Sequence, residues 1–442
     1  MARKPILHIL GAGPAGLATG YYAKKYDISF HIFESSERIG GNCQTIEEGE
    51  FRFDTGAHRF HDKDKDVTKE IKRLMGKDLI KVDAPSMIYQ EGRLINFPLN
   101  FSSIIKNLDR INIVKIIYEN LYNQIIRGNR PNNFRDLAYK NYGKTLSELF
   151  LINYTEKLWG ADSCQLQVDI AGDRLKNLDL FSSILELLFH KSSSSHLDGS
   201  FYYPKNGFGT IFDEMGKVIG ADKIKLNSPV EEILHDGKRI KKIVYKNGMK
   251  ANVDHIINTL PINLLIEIFN PAPPENIYQY VKDFSFRNIR LCVLFLDIPF
   301  FSNNASIYLP DKSYPFTRIY EPKNRSVYLA PENKTCIVVE IPYSNGDDIS
   351  LINDKELSKM IESILIEEKL LEKNQVIGHK IMNINNAYPI LTLGKDEKLR
   401  DIYSYFNSFS NHTLIGRNAE FKYLHTHDLM MRAKKLIEEL LS

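Results

Sequence analysis

Three glycines, Gly11, Gly13 and Gly16, stand in G-x-G-x-x-G spacing between an apolar run, Ile6 to Leu10, and an alanine-containing run from Leu17 to Lys25. That order predicts a buried strand, a tight turn and a helix, the front half of a dinucleotide site. Gly11 permits the sharp turn, Gly13 lets backbone approach a pyrophosphate, and Gly16 lets helix and strand pack closely, with free N–H groups at the helix start facing the phosphates. Alone, the motif is a weak signal. It gains weight from Glu34, which ends the strand-like run Ile28 to Phe33 and lies 23 positions after Gly11. A carboxylate there reaches the ribose hydroxyls of a bound adenosine and repels a 2′-phosphate.

Arg38-Ile-Gly40-Gly41 follows. A second glycine pair just beyond the ribose acid is the continuation found in FAD proteins rather than NAD dehydrogenases, so the expected cofactor is FAD. Arg38, Gly40 and Gly41 join the cofactor residues, as does Val230 in the strand Pro229 to Leu234. Downstream, Gly56-Ala-His-Arg-Phe-His61 forms a glycine turn carrying two histidines, and Gly56 beside His58 allows backbone to come close to a flat ring.

The elements that must hold these residues read as a discontinuous domain. Met87 to Phe97 has the look of a hairpin ended by Pro98. From Ser102 to about Gly160 apolar residues recur at helical spacing, including Ile104, Ile105, Leu108, Ile111, Val114, Leu121 and Ile125. This insert reads as a helical lobe whose stripes form its core; an amphipathic membrane-contacting face is the lesser alternative, since the polar faces are not notably Lys-rich. Strands Pro229 to Leu234 and Ile240 to Tyr245 are joined around Asp236-Gly237, Asn247-Gly248 makes the next turn, and Val253 to Pro261 supplies a second flavin-side segment. Residues 264 to 400 alternate strands with polar turns, an antiparallel wall for a substrate cavity. A final strand and helix, from Thr413 and Thr426, return to the first domain. The predicted class is α/β: a discontinuous Rossmann-like FAD-binding domain (1–80, 201–262 and 405–442), an inserted helical lobe (100–200) and a mostly antiparallel β-sheet substrate domain (81–99 and 263–404).

Balance of charge suggests no polyanion: 58 basic against 55 acidic residues give +3, with 43% hydrophobic and 26% charged residues. Neither nucleic acid nor a transmembrane segment is expected, no secretory signal precedes the first strand, and a cytoplasmic setting follows by default. Cys43, Cys164, Cys292 and Cys336 show no metal spacing and read as buried thiols; no metal site is expected. Ser192 to Ser195 reads as a loop.

Taken together, these blocks resemble the UDP-galactopyranose mutases and the wider protoporphyrinogen-oxidase-like and amine-oxidase-like flavoproteins. The resemblance spans the chain and rests on the glycine loops, Gly56 to His61, Tyr154-Thr-Glu-Lys-Leu-Trp-Gly160, Arg174, Pro204-Lys-Asn-Gly-Phe208, Thr317-Arg-Ile-Tyr-Glu321, Glu340-Ile-Pro342, Tyr388-Pro389, and Gly416-Arg417 with Tyr423. The mutase branch implies conversion between pyranose and furanose forms of a nucleotide sugar for surface polysaccharide, with N5 of reduced FAD as the nucleophile and NAD(P)H as one external reductant. It also implies roles. Arg174 and Arg318 match guanidiniums on the diphosphate, a task suited to their fixed donor fork. Tyr154, Tyr388 and Tyr423 match hydroxyls that contact phosphate or sugar. His58 matches the histidine beside the isoalloxazine, Arg417 the arginine near the flavin, and Trp159 an aromatic of the substrate channel.

Bland readings stand beside these. Arg174 and Arg318 are also compatible with surface salt bridges, and Glu156 and Lys157 with a solvated helix face. Phe421 lacks a hydroxyl that many mutases carry, and His425 stands where an acid is usual. The alternative activity is an FAD-dependent oxidase or desaturase of the protoporphyrinogen oxidase or amine oxidase type; a flavin-binding scaffold without chemistry is a third. The sugar, the nucleotide base and homodimerisation stay open.

Overall fold

The computed structural model describes residues 5–97, 99, 101–125, 130–170, 200–246 and 248–441. Leu7–Leu10 is buried at every position, as a strand covered on both faces must be. It sits at the centre of a five-stranded parallel sheet ordered His412–Leu414, His255–Asn258, Leu7–Leu10, Phe30–Phe33, Ile224–Lys225. Strands from the beginning, middle and end of the chain thus form one layer. Helix Pro14–Lys25 packs against helices Thr210–Ile219 and Thr426–Glu439.

A seven-stranded sheet forms the second layer, in the order Val376–Pro389, Phe286–Leu296, Thr335–Tyr343, Arg318–Tyr320, Ser306–Tyr308, Ser86–Gln90, Arg93–Phe97. All its pairings are antiparallel except Ser306–Tyr308 with Ser86–Gln90. Phe286–Leu296 is buried throughout. Its alternating side chains explain why: Ile289, Leu291, Val293 and Phe295 pack with Phe51 and Phe53, whereas Cys292, Leu294 and Leu296 pack with Leu357, Ile361 and Leu365 of helix Asp354–Glu367. A smaller sheet, Lys250–Asn252, Ile240–Tyr245, Val230–His235 and Phe269–Asn270, flanks the parallel one. The chain is therefore α/β with a split nucleotide-binding domain and an antiparallel wall.

Several expectations need correction. The helical stretch forms as Phe101–Asn107, Arg110–Ile125, Phe134–Tyr142 and Asn153–Trp159 with shorter turns between, yet its stripe does not all enter the core. Ile104 and Ile116 are buried, while Ile105, Ile111, Val114, Leu121 and Ile125 are exposed. Helical period alone cannot say which of two apolar faces meets the core. Cys292 and Cys336 are buried, but Cys43 is half-buried and Cys164 is exposed. Asn247 and the serines 192–195 lie outside the described residues.

Close packing of the first turn has a measurable consequence. A Cβ on Gly16 would come 1.9 Å from the Gly11 carbonyl oxygen, far inside van der Waals contact, with the Ile9 side chain at 3.4 Å. Neither backbone can yield without disturbing the central strand, so Gly16→Ala should destabilise the chain by about 3 kcal/mol or more, a magnitude reserved for overpacked cores. Thermal melting and flavin retained after purification would read this directly.

Candidate active site

The nucleotide end is built by register. Leu10 pairs with Phe33 and the Gly11 N–H donates to the Phe33 carbonyl at 2.8 Å, so the glycine turn and Glu34 emerge side by side. The Ala12 N–H donates to Glu34 Oε2 at 2.7 Å, and Ser36 donates to Oε1 from both its N–H and its hydroxyl at 2.9 Å. The carboxylate is thereby held at the mouth of the turn. Helix Pro14–Lys25 begins without a side-chain cap, and Pro14 has no N–H to give. Among the described residues, the Ala15 and Gly16 N–H groups have no hydrogen-bond partner. They are the donors a phosphate would take.

Gly41 has φ +53°, and a Cβ there would lie 3.0 Å from the Gly13 Cα, so the two glycine loops meet backbone to backbone. The Gly40 N–H donates to the Ala12 carbonyl at 2.8 Å and closes the contact. Arg38 Nη2 donates to the Thr45 carbonyl at 2.6 Å and so braces the glycine pair against the next strand. Val230 opens its strand two residues after Ser228, whose N–H donates to the Glu34 carbonyl at 2.8 Å. An uncapped helix start, two apposed glycine loops and a carboxylate at the end of the second strand fit a flavin dinucleotide.

Catalytic candidates gather where the antiparallel wall meets the Gly56 to His61 loop. Three adjacent strands place Tyr308, Arg318 and Glu340 in one row, since Tyr308 pairs with Arg318 and Arg318 with Glu340. Cross-strand neighbours on one face must interact, and here they form a buried ion pair. Arg318 Nε and Nη2 donate to Glu340 at 2.6–2.8 Å. The other edge of the same carboxylate accepts the Ala57 N–H at 3.0 Å. One acid therefore fixes both the guanidinium and the loop, and Nη1 is the Arg318 nitrogen that Glu340 does not engage.

His58 follows Ala57. Its N–H donates to the Gly56 carbonyl at 2.7 Å, its ring stacks on Phe208 at 5.2 Å, and Nε2 lies 3.2 Å from the Asn42 carbonyl. Burial, then the nearby Arg417 cation, lower its pKa to about 3. The side chain is nevertheless not fully enclosed, and part of its surface stays accessible. Its carbonyl accepts from Arg325 Nη1 at 3.1 Å.

An aromatic cluster closes the other side. Trp159 lies 5.8 Å from Tyr388 and 5.4 Å from Tyr423, and the two tyrosines are 5.8 Å apart. Arg417 sits over both rings, 5.8 and 5.1 Å from their centroids, with its guanidinium donating to the Leu424 and Ala387 carbonyls. Burial and the Tyr423 phenol raise Tyr388 to about 12, so its hydroxyl stays a donor. Tyr154 meets Tyr308 edge to face at 5.8 Å, and Tyr308 lies 5.9 Å from the Arg318 guanidinium. His58, Arg318, Tyr154, Tyr388, Tyr423, Trp159 and Arg417 are thus linked through a few shared neighbours. Arg174 lies outside the described residues.

The surface reading of Arg318 is overturned by its burial, and so is that of the Glu156-Lys157 pair. Glu156 joins Arg135 and Lys312 and accepts from Ser163. Lys157 Nζ donates to the carbonyls of Leu309, Asp311, Tyr314 and Phe316 at 2.6–3.2 Å. It ties the helix bearing Tyr154 and Trp159 to the loop that leads into Arg318. Tyr308 and Arg325 also escaped the sequence reading. No motif marks them: strand register brings Tyr308 to the site, and the short turn Pro322–Asn324 delivers Arg325. Phe421, the lost hydroxyl, packs instead against Phe284 and Phe286.

Residues 14–367 match the sequence profile of the flavin containing amine oxidoreductases. The chain belongs to that family. Membership implies a flavin cofactor and an FAD-dependent enzyme. Among relatives, the protoporphyrinogen oxidase of Dictyostelium discoideum is 21% identical, over 89% of this chain and 83% of its own. Among solved structures, a reduced UDP-galactopyranose mutase superposes with TM-score 0.86 at 19% identity, covering 99% of this chain and 95% of that one. A candidate protoporphyrinogen oxidase from Exiguobacterium sp. 255-15 gives 0.79 at 16%, covering 100% and 99%. At such identities the likeness establishes the shared fold of this flavoenzyme.

Two outcomes follow from the geometry. Arg318→Met strands a buried carboxylate and should lower stability by about 3–5 kcal/mol, whereas the double variant with Glu340→Leu should recover most of that loss in a chemical melt. For His58 the folded state resists protonation, so between about pH 6.5 and 3 the unfolded chain binds more protons and stability declines on acidification. His58→Asn should flatten that decline relative to the parent, as followed by melting temperature across the range; an unchanged slope would assign it to other groups.

Proposed function

We propose that this flavoenzyme interconverts pyranose and furanose forms of a nucleoside-diphosphate sugar. The observation that carries the reading is the buried Arg318 guanidinium, whose Nη1 is not taken by Glu340 and which is surrounded by the phenols of Tyr154, Tyr308 and Tyr388. Such a lining is rich in oriented donors, and a diphosphate needs donors at a fixed geometry more than it needs loose charge. Because Arg318 is already paired, the phenols share the work of holding the anion. Bound FAD in its reduced form supplies the nucleophile for the anomeric carbon.

The chain's own part is binding, orientation and exclusion of water. Trp159, Tyr388 and Tyr423 present ring faces and edges suited to the apolar faces of a sugar, with Arg417 fixed behind them. His58 is neutral at physiological pH and held by its stacking on Phe208, so it is placed to donate or accept one hydrogen bond at the flavin edge. A cytoplasmic enzyme of surface-polysaccharide synthesis, reduced by NAD(P)H, is the setting this reading expects.

The second reading, an oxidase of the protoporphyrinogen oxidase type, is favoured by the neutralisation of Arg318 by Glu340, which removes the net positive charge that a diphosphate would prefer.

Incubating the dithionite-reduced holoenzyme with UDP-, dTDP- and GDP-sugars and resolving the products by chromatography distinguishes them. Isomerisation confined to the reduced state supports the mutase; oxygen uptake with a porphyrinogen and inertness toward every sugar nucleotide rejects it. In the mutase assay Tyr388→Phe should raise KM on the order of tenfold, the loss of one hydrogen bond to a charged ligand.

A further inference from the structure

Helix Arg110–Ile125 is apolar on two sides. Ile116 and Asn120 face inward, where Asn120 Nδ2 donates to the Tyr142 carbonyl at 2.9 Å and Ile116 packs with Ile104, Tyr142 and Leu146. Outward stand Ile111, Val114, Tyr118, Leu121, Tyr122 and Ile125, from 50% exposed at Leu121 and Tyr122 to 81% at Ile125. At 100° per residue these six fall in one sector about 100° wide, the width of a stripe made to be covered. Ile105 of the preceding helix is exposed as well.

The borders of the stripe say what covers it. On this helix's projection, Arg110 lies just outside one edge and Lys115 just outside the other, both exposed. Carboxylates are turned elsewhere. Glu119 is engaged by the Thr145 N–H and hydroxyl, and Asp109 accepts the Ile111 and Asn112 N–H groups at the helix start. Tyr118 and Tyr122 stack at 6.2 Å within the stripe, amphipathic rings of the kind that settle at a boundary between apolar and polar media. A second copy of the same face would bring cationic edges against cationic edges. An anionic lipid surface meets every one of these features: acyl chains for the stripe, headgroup phosphates for both borders. Among the described residues no helix is long and apolar enough to cross a membrane, so attachment would be in the plane of the interface.

We infer that the helical lobe docks on anionic membrane through the outward face of Arg110–Ile125. The inference is independent of which reaction the flavin site performs. The test is flotation of the full-length holoenzyme with vesicles of phosphatidylcholine alone or with about one-third phosphatidylglycerol. The parent should float with the anionic vesicles and be released by salt. Leu121→Glu with Ile125→Glu should abolish flotation, and Arg110→Glu with Lys115→Glu should weaken it about tenfold or more, each with flavin content and melting temperature unchanged. Failure of the parent to float, or flotation indifferent to both double variants, overturns the proposal. So does sedimentation showing a self-associated parent that becomes monomeric on Leu121→Glu with Ile125→Glu, which would make a second copy the occupant.

Discussion

A guanidinium taken out of water has to find its counter-charge, and the Arg318–Glu340 pair is where this chain meets that requirement. The two residues are strand neighbours, so the pair forms only if Arg318–Tyr320 and Thr335–Tyr343 align in one register. Glu340 also receives the Ala57 N–H, which means the loop carrying His58 is indexed to the same sheet. Misalignment by one residue would turn Arg318 and Glu340 to opposite faces, leave two charges without partners and free the loop. The side of the molecule that carries the catalytic candidates therefore depends on a single electrostatic condition.

The nucleotide side depends on backbone instead. Gly16 lies against the Gly11 carbonyl, Gly41 against Gly13, and Glu34 is fixed by main-chain donors from the loop it faces. Little of this involves long side chains, and little of it can vary in shape. The two halves communicate through Asn42 and Thr55. Thr55 Oγ1 accepts the Gln44 N–H, its hydroxyl lies 2.9 Å from the Asn42 carbonyl, and that carbonyl also faces the His58 ring. The glycine pair and the histidine are thus set by one short stretch of chain.

That division explains what could be read from the amino-acid order. Gly11, Gly13, Gly16, Glu34 and the Gly40-Gly41 pair are local, so spacing alone announces them, and the helix Thr426–Glu439 lies where the return of the chain puts it. Tyr308 and Arg325 were silent, and Lys157 read as a solvated face, because the partners that give them their roles, Tyr154, His58 and Leu309, lie more than a hundred positions away. Arg318 and Glu340 were both singled out, but not as partners, since their pairing carries no mark until the register is known. The outward stripe of Arg110–Ile125 was visible as a period and misassigned as core, because a helix with two apolar faces gives the same period on each.

The parallel sheet has one more implication. Its central strand begins the chain, its neighbour His255–Asn258 comes from the middle, and its edge His412–Leu414 arrives near the end. During synthesis, Leu7–Leu10 must wait for hundreds of residues to emerge before both its flanks are satisfied, and loop closures of that span are slow. Phe30–Phe33 can pair one flank early, but the other stays open until His255–Asn258 emerges, an exposed apolar edge of the kind that invites aggregation.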